Sequence, residues 1–316
     1  MKKNSYYLLI PILTMLFCTG SYNPKYNIKD IKNDLNIEEI KNEREKENLD
    51  IQNNNEQLQM ETPDKSGPVT KLPWENDVNF IKAKKEIGAN VLMAAYCTVL
   101  KDPLPGEEFN VHLGASSVAG TVIQPNDIFS QNKSIGPYTE ARGYQKGPSY
   151  SGSNLMTTIG GGVCKISSTL YNVSILSNLQ IIERYNHAMP VPYVPYGQDA
   201  TVAYGAKDFK FKNNTEFPIL IWAEGIDNRL YVGFYGKEKP PEIEWNHKVL
   251  NKVEAPKHYR SNPDLKEGEE KVIVEGMDGA TVESWITIKN EDGTIKTKKL
   301  GISHYIPMPY IIEVNK

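Results

Sequence analysis

The sequence predicts an α+β fold: a cysteine-bearing helix packed on an antiparallel β meander, followed by a small all-β module. Three observations predict it. First, Gly160-Gly161-Gly162-Val163-Cys164 runs into Lys165–Asn172, where Ile166, Leu170, Val173 and Leu176 recur at helical spacing. Second, short alternating segments at Thr201–Tyr204, Asp208–Lys212, Ile219–Ala223 and Leu230–Tyr235 are separated by Gly205, Asn213-Asn214 and Asp227-Asn228, which are turn signals. Third, alternation resumes after Lys237–Pro241, at Lys271–Glu275, Ala280–Lys289, Thr294–His304 and Tyr310–Val314. Asn290-Glu291-Asp292-Gly293 supplies a hairpin turn there, with glycine for positive φ.

In chain order, Met1–Gly20 reads as an export signal. Lys2 and Lys3 form a basic start, and Tyr6–Phe17 is an apolar run of 12 residues, short for a membrane span. Cys18-Thr19-Gly20 offers a cleavage site, Cys18 offers an alternative lipid attachment point, and an uncleaved anchor is a third option. The location expected is therefore secreted or cell-envelope, with possible membrane attachment through the N-terminus. Residues 21–74 are rich in Asn, Lys, Glu and Asp and lack a core-forming pattern. A flexible coil of that length spans roughly 40 Å root-mean-square. The folded part is expected over 75–237, with the β module over 238–316.

Val91–Leu100 reads as a buried strand, and Val111, Ala115, Val118 and Val122 mark a helix over Asn110–Ile123. Loops then lead to Pro148–Thr158, a polar stretch suited to the rim of a cleft. After the cysteine helix, Gln180–Tyr185 reads as a strand. Pro190–Gly197 reads as a stiff extended run, because each proline fixes φ. Glu242–Lys257 reads as a bridge to the last strands.

Composition narrows the function. A net charge of −3 and a pI near 6.0 give no reason to expect nucleic acid as a partner. At 39% hydrophobic residues the chain falls below the globular range, consistent with an unfolded portion. Three cysteines make no disulfide framework, and no Cys/His spacing suggests zinc, so neither metal nor cofactor is expected.

Cys164 is the residue with chemical promise. A glycine turn at a helix N-terminus lowers a thiol pKa through the dipole and lets substrate approach closely. The turn's N–H groups suit a developing oxyanion. These features point to an acyl-transfer nucleophile; the alternative is a small buried side chain at a packing turn. Ser167, Ser168 and Thr169 can supply an N-cap. His187, 23 residues on, is the best available base, with a structural strand-end histidine as the alternative. Asp199 either orients that imidazole or caps a turn. Glu183 and Arg184 can pair with substrate charges. His112, His247, His258 and His304 read as structural, and Cys97 reads as core, with a Cys97–Cys164 disulfide as a further option in an exported protein.

The run GGGVCKISSTLYN, with ERYNHAMPVPYVPYGQDATVAYGAKDFKFKN after it and PNDIFSQNKSIGPYTEARGY before it, resembles the VanW family. The likeness extends over about Glu86–Gly236. The C-terminal unit resembles the wall-associated G-five domain, with Gly268, Gly276, Gly279 and Gly293 at glycine-marked positions. The first resemblance implies a cysteine L,D-transpeptidase acting on peptidoglycan stem peptides and glycan. Cys164 would be the nucleophile, His187 the acid and base, and Asp199 its partner. The amides of Gly161 and Gly162 would hold the oxyanion, with Ser167, Ser168 and Arg184 as further substrate contacts. Lys165 stands where many relatives carry glutamine. The alternatives are a cysteine peptidase that trims the stem and a non-catalytic wall-binding scaffold.

Overall fold

The computed structural model describes residues 62–315, apart from 102, 105, 152 and 153, and the side chains outside 150–155. The expectations for the export signal, Cys18 and most of the spacer lie outside the described residues. The described part forms one compact unit of mixed α+β character. None of its helices is long and apolar enough to cross a membrane.

The central sheet has five antiparallel strands in the order β1-β2-β10-β9-β3. These are β1 (Gly67–Pro68), β2 (Val91–Val99), β3 (Thr121–Ile123), β9 (Ile219–Ile226) and β10 (Arg229–Gly236). Helix α1 (Val78–Ile87) starts at Asp77, whose carboxylate accepts from the Phe80 N–H (2.7 Å), and ends at Gly88 in the left-handed region. Helix α2 (Glu107–Val118) packs Val111, Ala115 and Val118 inward. It is shorter than the apolar spacing suggested. Ala119 leaves the helical region and Gly120 turns the chain at φ 82°, so Val122 belongs to β3 and pairs with Leu220.

Residues 62–74, which composition places in the spacer, pack on this sheet. Ser66 accepts from the Val99 N–H, the Arg229 Nε donates to the Pro63 carbonyl, and Leu72 and Trp74 are buried.

Helix α4 (Cys164–Leu176) lies against β2 and β10. Ile166, Leu170 and Val173 are fully buried on its inner face, each worth about 1.5–3 kcal/mol. Thr98 of β2 and Thr169 of α4 share a buried hydrogen bond of 2.7 Å. The meander inferred from alternation divides between two sheets. β9 and β10 form a hairpin in the central sheet. β8 (Lys210–Lys212) joins β4 (Ile128–Ser130) and β7 (Gln180–Glu183) in a second one. Residues 201–204 carry only an isolated bridge, Ala203 to Lys207. Helix α3 (Gln131–Ile135) follows β4, capped by Ser130. The hairpin β5 (Lys146–Ser151) and β6 (Asn154–Ile159) delivers the chain to the glycine run.

The C-terminal unit is all β. β11 (Glu242–Val253), β14 (Gly279–Lys289) and β15 (Ile295–Tyr305) form an antiparallel sheet. β12 (Lys257–Ser261), β16 (Tyr310–Val314) and β13 (Glu270–Val274) form another, with β12 parallel to β16. The segment read as a bridge is therefore mostly strand. Its alternation is masked because β11 is half-exposed and polar along most of its length.

Candidate functional site

The glycine run is a tight turn. Gly160 and Gly162 adopt φ of 77° and 102°, a region closed to most side chains. Gly161 lies against the β5 backbone, where a Cβ would sit 2.2 Å from the Gly147 carbonyl. Asn110 of α2 fixes this turn to β5. Its Nδ2 donates to the Gly161 and Gln145 carbonyls (2.9 Å each), and its Oδ1 accepts from the Gln145 N–H (2.8 Å). Gly161→Ala is therefore expected to lower stability by about 1–3 kcal/mol through overpacking against rigid backbone. The shift of the denaturant midpoint measures it.

Helix α4 begins at Cys164 itself, so the thiol sits at the positive end of the helix dipole. Cys164 is half-buried as a residue and Cys97 is buried; both are free cysteines, and no disulfide joins them. The Val202 N–H donates to Cys164 Sγ at 3.5 Å, and Thr201 Oγ1 lies at 3.5 Å. The His187 side chain lies close enough to the same sulfur for each to shift the other's titration.

Asp199 holds the imidazole. Its Oδ2 accepts from the His187 backbone N–H and faces Nδ1, each at 2.6 Å. That engagement leaves Nε2 as the ring nitrogen for Cys164. Burial raises the Cys164 thiol pKa, but the hydrogen bond and charge of His187, with Thr201 and Val202, outweigh it and hold the thiol below its ordinary value. Burial disfavours a charged His187, yet Asp199 and Cys164 together push it up to about 9. Burial likewise disfavours ionised Asp199, but His187 and Arg184 keep it below the usual carboxylate range. The three residues thus shift the balance toward a thiolate–imidazolium pair backed by a carboxylate.

Other residues singled out in the sequence take different places. Ser167 and Ser168 are fully buried. Their hydroxyls lie within hydrogen-bond distance of the Cys164 carbonyl (2.9 Å each) and the Ala200 carbonyl (2.7 and 3.2 Å). They tie α4 to the Asp199–Val202 segment and neither cap the helix nor face a substrate. The N-cap is Val163, which offers no side-chain oxygen. Arg184 is spent internally: it donates to the Asp199 carbonyl (2.8 Å), Asp199 Oδ1 (3.0 Å) and Ser303 Oγ (2.8 Å), and lies over the Tyr171 ring. It supports Asp199 and does not meet substrate charge. Glu183 pairs with Lys210 (2.6 Å). The Gly161 N–H donates to the Thr158 carbonyl (3.1 Å), which removes that amide from an oxyanion role. His112 rests on the Asp227 carbonyl (2.9 Å).

Lys165 is tied to Glu107 and lies 5.0 Å from the centre of the Tyr193 ring, which in turn meets His187 edge-on. Burial pulls the Lys165 ammonium down to about 7, a pull that the adjoining Glu107 carboxylate opposes. Sequence reasoning missed Asn110, Thr201, Ser303 and Tyr305. Nothing local marks them, since each acts across a long stretch of chain. Among the described residues no cluster of His, Cys, Asp and Glu suits a metal ion.

Residues 106–235 match the sequence profile described as VanW like protein. The uncharacterized protein YoaR of Bacillus subtilis is 36% identical over 46% of this chain and 48% of its own length. The vancomycin B-type resistance protein VanW of Enterococcus faecalis is 30% identical over 42% of this chain and 50% of its own. The chain thus spans about half the length of these curated relatives. Among solved structures, the G5 domain of an IgA1 protease aligns with 25% of this chain and 95% of its own, at 25% identity and a TM-score of 0.16. The HP0197 G5 domain aligns with 23% and 97%, at 17% identity and a TM-score of 0.14. The stretch that carries Cys164, His187 and Asp199, residues 106–235, is the part of the chain that matches the VanW family profile.

Proposed function

We propose that this protein is a cysteine acyl transferase of the bacterial cell envelope, an L,D-transpeptidase acting on peptidoglycan stem peptides. The observation that carries the reading is the chain of groups formed by a helix-N-terminal thiol, an imidazole acting on it and a carboxylate that holds the imidazole. Nucleophile, base and orienting acid in that order are the elements of acyl transfer. The family name supports a wall setting, because the enterococcal relative is a vancomycin-resistance protein.

In this mechanism the Cys164 thiolate attacks the carbonyl of the third residue of a donor tetrapeptide. The oxyanion forms at the start of α4, where the Gly162 amide and the dipole favour negative charge. The imidazolium of His187 gives its proton to the departing D-alanine amine, and a thioester remains. A side-chain amine of an acceptor stem then attacks the thioester, His187 takes its proton, and the thiolate is regenerated. One peptide bond is broken and one formed, so no outside energy source is needed.

The experiment is incubation of the purified protein with disaccharide-tetrapeptide, read by intact-protein and product mass spectrometry. An acyl adduct on Cys164 with a cross-linked dimer lacking one D-alanine is the expected result. An adduct yielding only trimmed monomer identifies a peptidase. Absence of both adduct and product identifies a wall-binding protein. The pH profile is a further check. Activity should rise as the Cys164 thiol ionises, below its ordinary value, and fall as His187 loses its proton near about 9. A single rise with no fall up to pH 10 would remove His187 from the role of acid.

A further inference from the structure

We propose that the C-terminal β unit is a working part of the Cys164 site, with Tyr305 as the residue that positions Asp199 and, through it, His187. The inference rests on the acyl-transfer reading above. Tyr305 closes β15 and is buried. Its hydroxyl donates to Asp199 Oδ1 and accepts from the Gly197 N–H (2.9 Å). Two residues earlier, on the same face of the strand, Ser303 Oγ accepts from Arg184 Nη1 at 2.8 Å. Arg184 in turn donates to Asp199 Oδ1. One carboxylate oxygen is thus held by β15, directly and through Arg184. The other is left for the backbone and ring of His187.

Main-chain groups at the end of β15 repeat the pattern on both sides of His187. Asn186 Nδ2 donates to the His304 carbonyl, and the Ile306 N–H donates to the Ala188 carbonyl, each at 2.8 Å. The proline-rich segment that leads to Asp199 is fastened to the same unit through the Tyr196 hydroxyl, which donates to the Asp278 carbonyl (2.6 Å). A cavity of about 140 Å³ is bordered by Pro190, Val194, Met277, Asp199 and Tyr305. Asp199 therefore has room to turn once its Tyr305 hydrogen bond is removed. Tyr305 holds the carboxylate in the rotamer that serves His187, and the β unit fixes the basicity of the catalytic pair.

Tyr305→Phe tests this directly. It deletes the hydroxyl and keeps the ring, which packs edge-on against Tyr196 at 5.4 Å. The readout is the rate of Cys164 alkylation by iodoacetamide against pH on the full chain, which needs no substrate and which buried Cys97 does not confuse. Lys299→Ala, on the same strand and paired only at the surface with Glu283, is the control. In the parent the thiol should titrate well below the free value of about 8.5. In Y305F the midpoint should rise by about one unit, with labelling at pH 6 slower by about tenfold, as His187 loses its oriented partner. K299A should overlay the parent. An unmoved Y305F profile on a depressed parent thiol overturns this inference alone, as does a K299A shift as large as that of Y305F. A parent thiol that titrates at its ordinary value overturns the acyl-transfer reading and this inference with it.

Discussion

Cys164→Ala is expected to abolish the proposed acyl transfer and to leave the fold intact. The expected loss is on the order of 10⁴-fold or more, because no other group near the site can form the thioester. Cys97, the other thiol in the described residues, is enclosed in β2, and burial pushes its pKa up to about 11. It cannot take over the reaction. The fold should survive because Cys164 is only partly buried at the border of the core, whereas Ile166, Leu170 and Val173 anchor the helix. The informative assay pairs product formation with circular dichroism and the melting temperature. A variant that melts like the parent and still cross-links stems would end the nucleophile assignment.

Asp199→Ala should damage both stability and chemistry. The carboxylate is 1% exposed and receives hydrogen bonds from the His187 backbone, Arg184 and Tyr305, besides facing the His187 ring. Its removal leaves the Arg184 guanidinium, 14% exposed, without its carboxylate. Breaking one side of such a buried pair costs about 3–5 kcal/mol. Catalysis should fall as well, because His187 loses the partner that pushes it up to about 9. The pH dependence of stability follows from the same shifts. Asp199 lies below its unfolded pKa, so its contribution is present above about pH 4 and is lost as pH falls through the folded value. His187 lies above its unfolded pKa, so its contribution is complete below about 6.5 and is lost as pH rises through about 9. Denaturant titrations of parent and D199A at pH 3, 7 and 10 should therefore show the widest gap at pH 7 and narrower gaps at pH 3 and pH 10, with a remainder at pH 10 because Arg184 stays charged. A constant gap across that range would show that Asp199 does not owe its stabilising role to these charges.

The elements legible in the sequence were those set by local pattern. The glycine run, the start of the helix at Cys164 and the strands around Ile219 and Leu230 follow from turn chemistry and periodicity. His187 and Asp199 could be named as partners because few residue types suit the task. What sequence left open was decided by contacts between distant segments. Ser167 and Ser168 carry the composition of a cap, but they lie past the helix start and face the Ala200 carbonyl. Arg184 resembles a substrate clamp until Asp199 and Ser303 are seen around it. Asn110 is one polar residue in an apolar helix pattern, and only the fold brings it to the Gly161 carbonyl. Tyr305 lies in a unit with no catalytic motif, 106 residues from the carboxylate it holds.

The shortest strand decides where the chain can be cut. β1 is two residues long, yet it covers the edge of β2 opposite Cys97 and Tyr96. With Ser66 on the Val99 N–H, it occupies backbone groups that would otherwise invite a strand from another molecule. Pro68, which has no N–H to offer, ends the sheet there. A protease that clips before residue 62 releases the folded unit with its edge sealed. A clip between residues 68 and 74 would strip away β1 together with its serine and bare an apolar strand edge prone to self-association. The edge of the described folded unit thus lies about a dozen residues ahead of the tryptophan that composition suggests as its beginning.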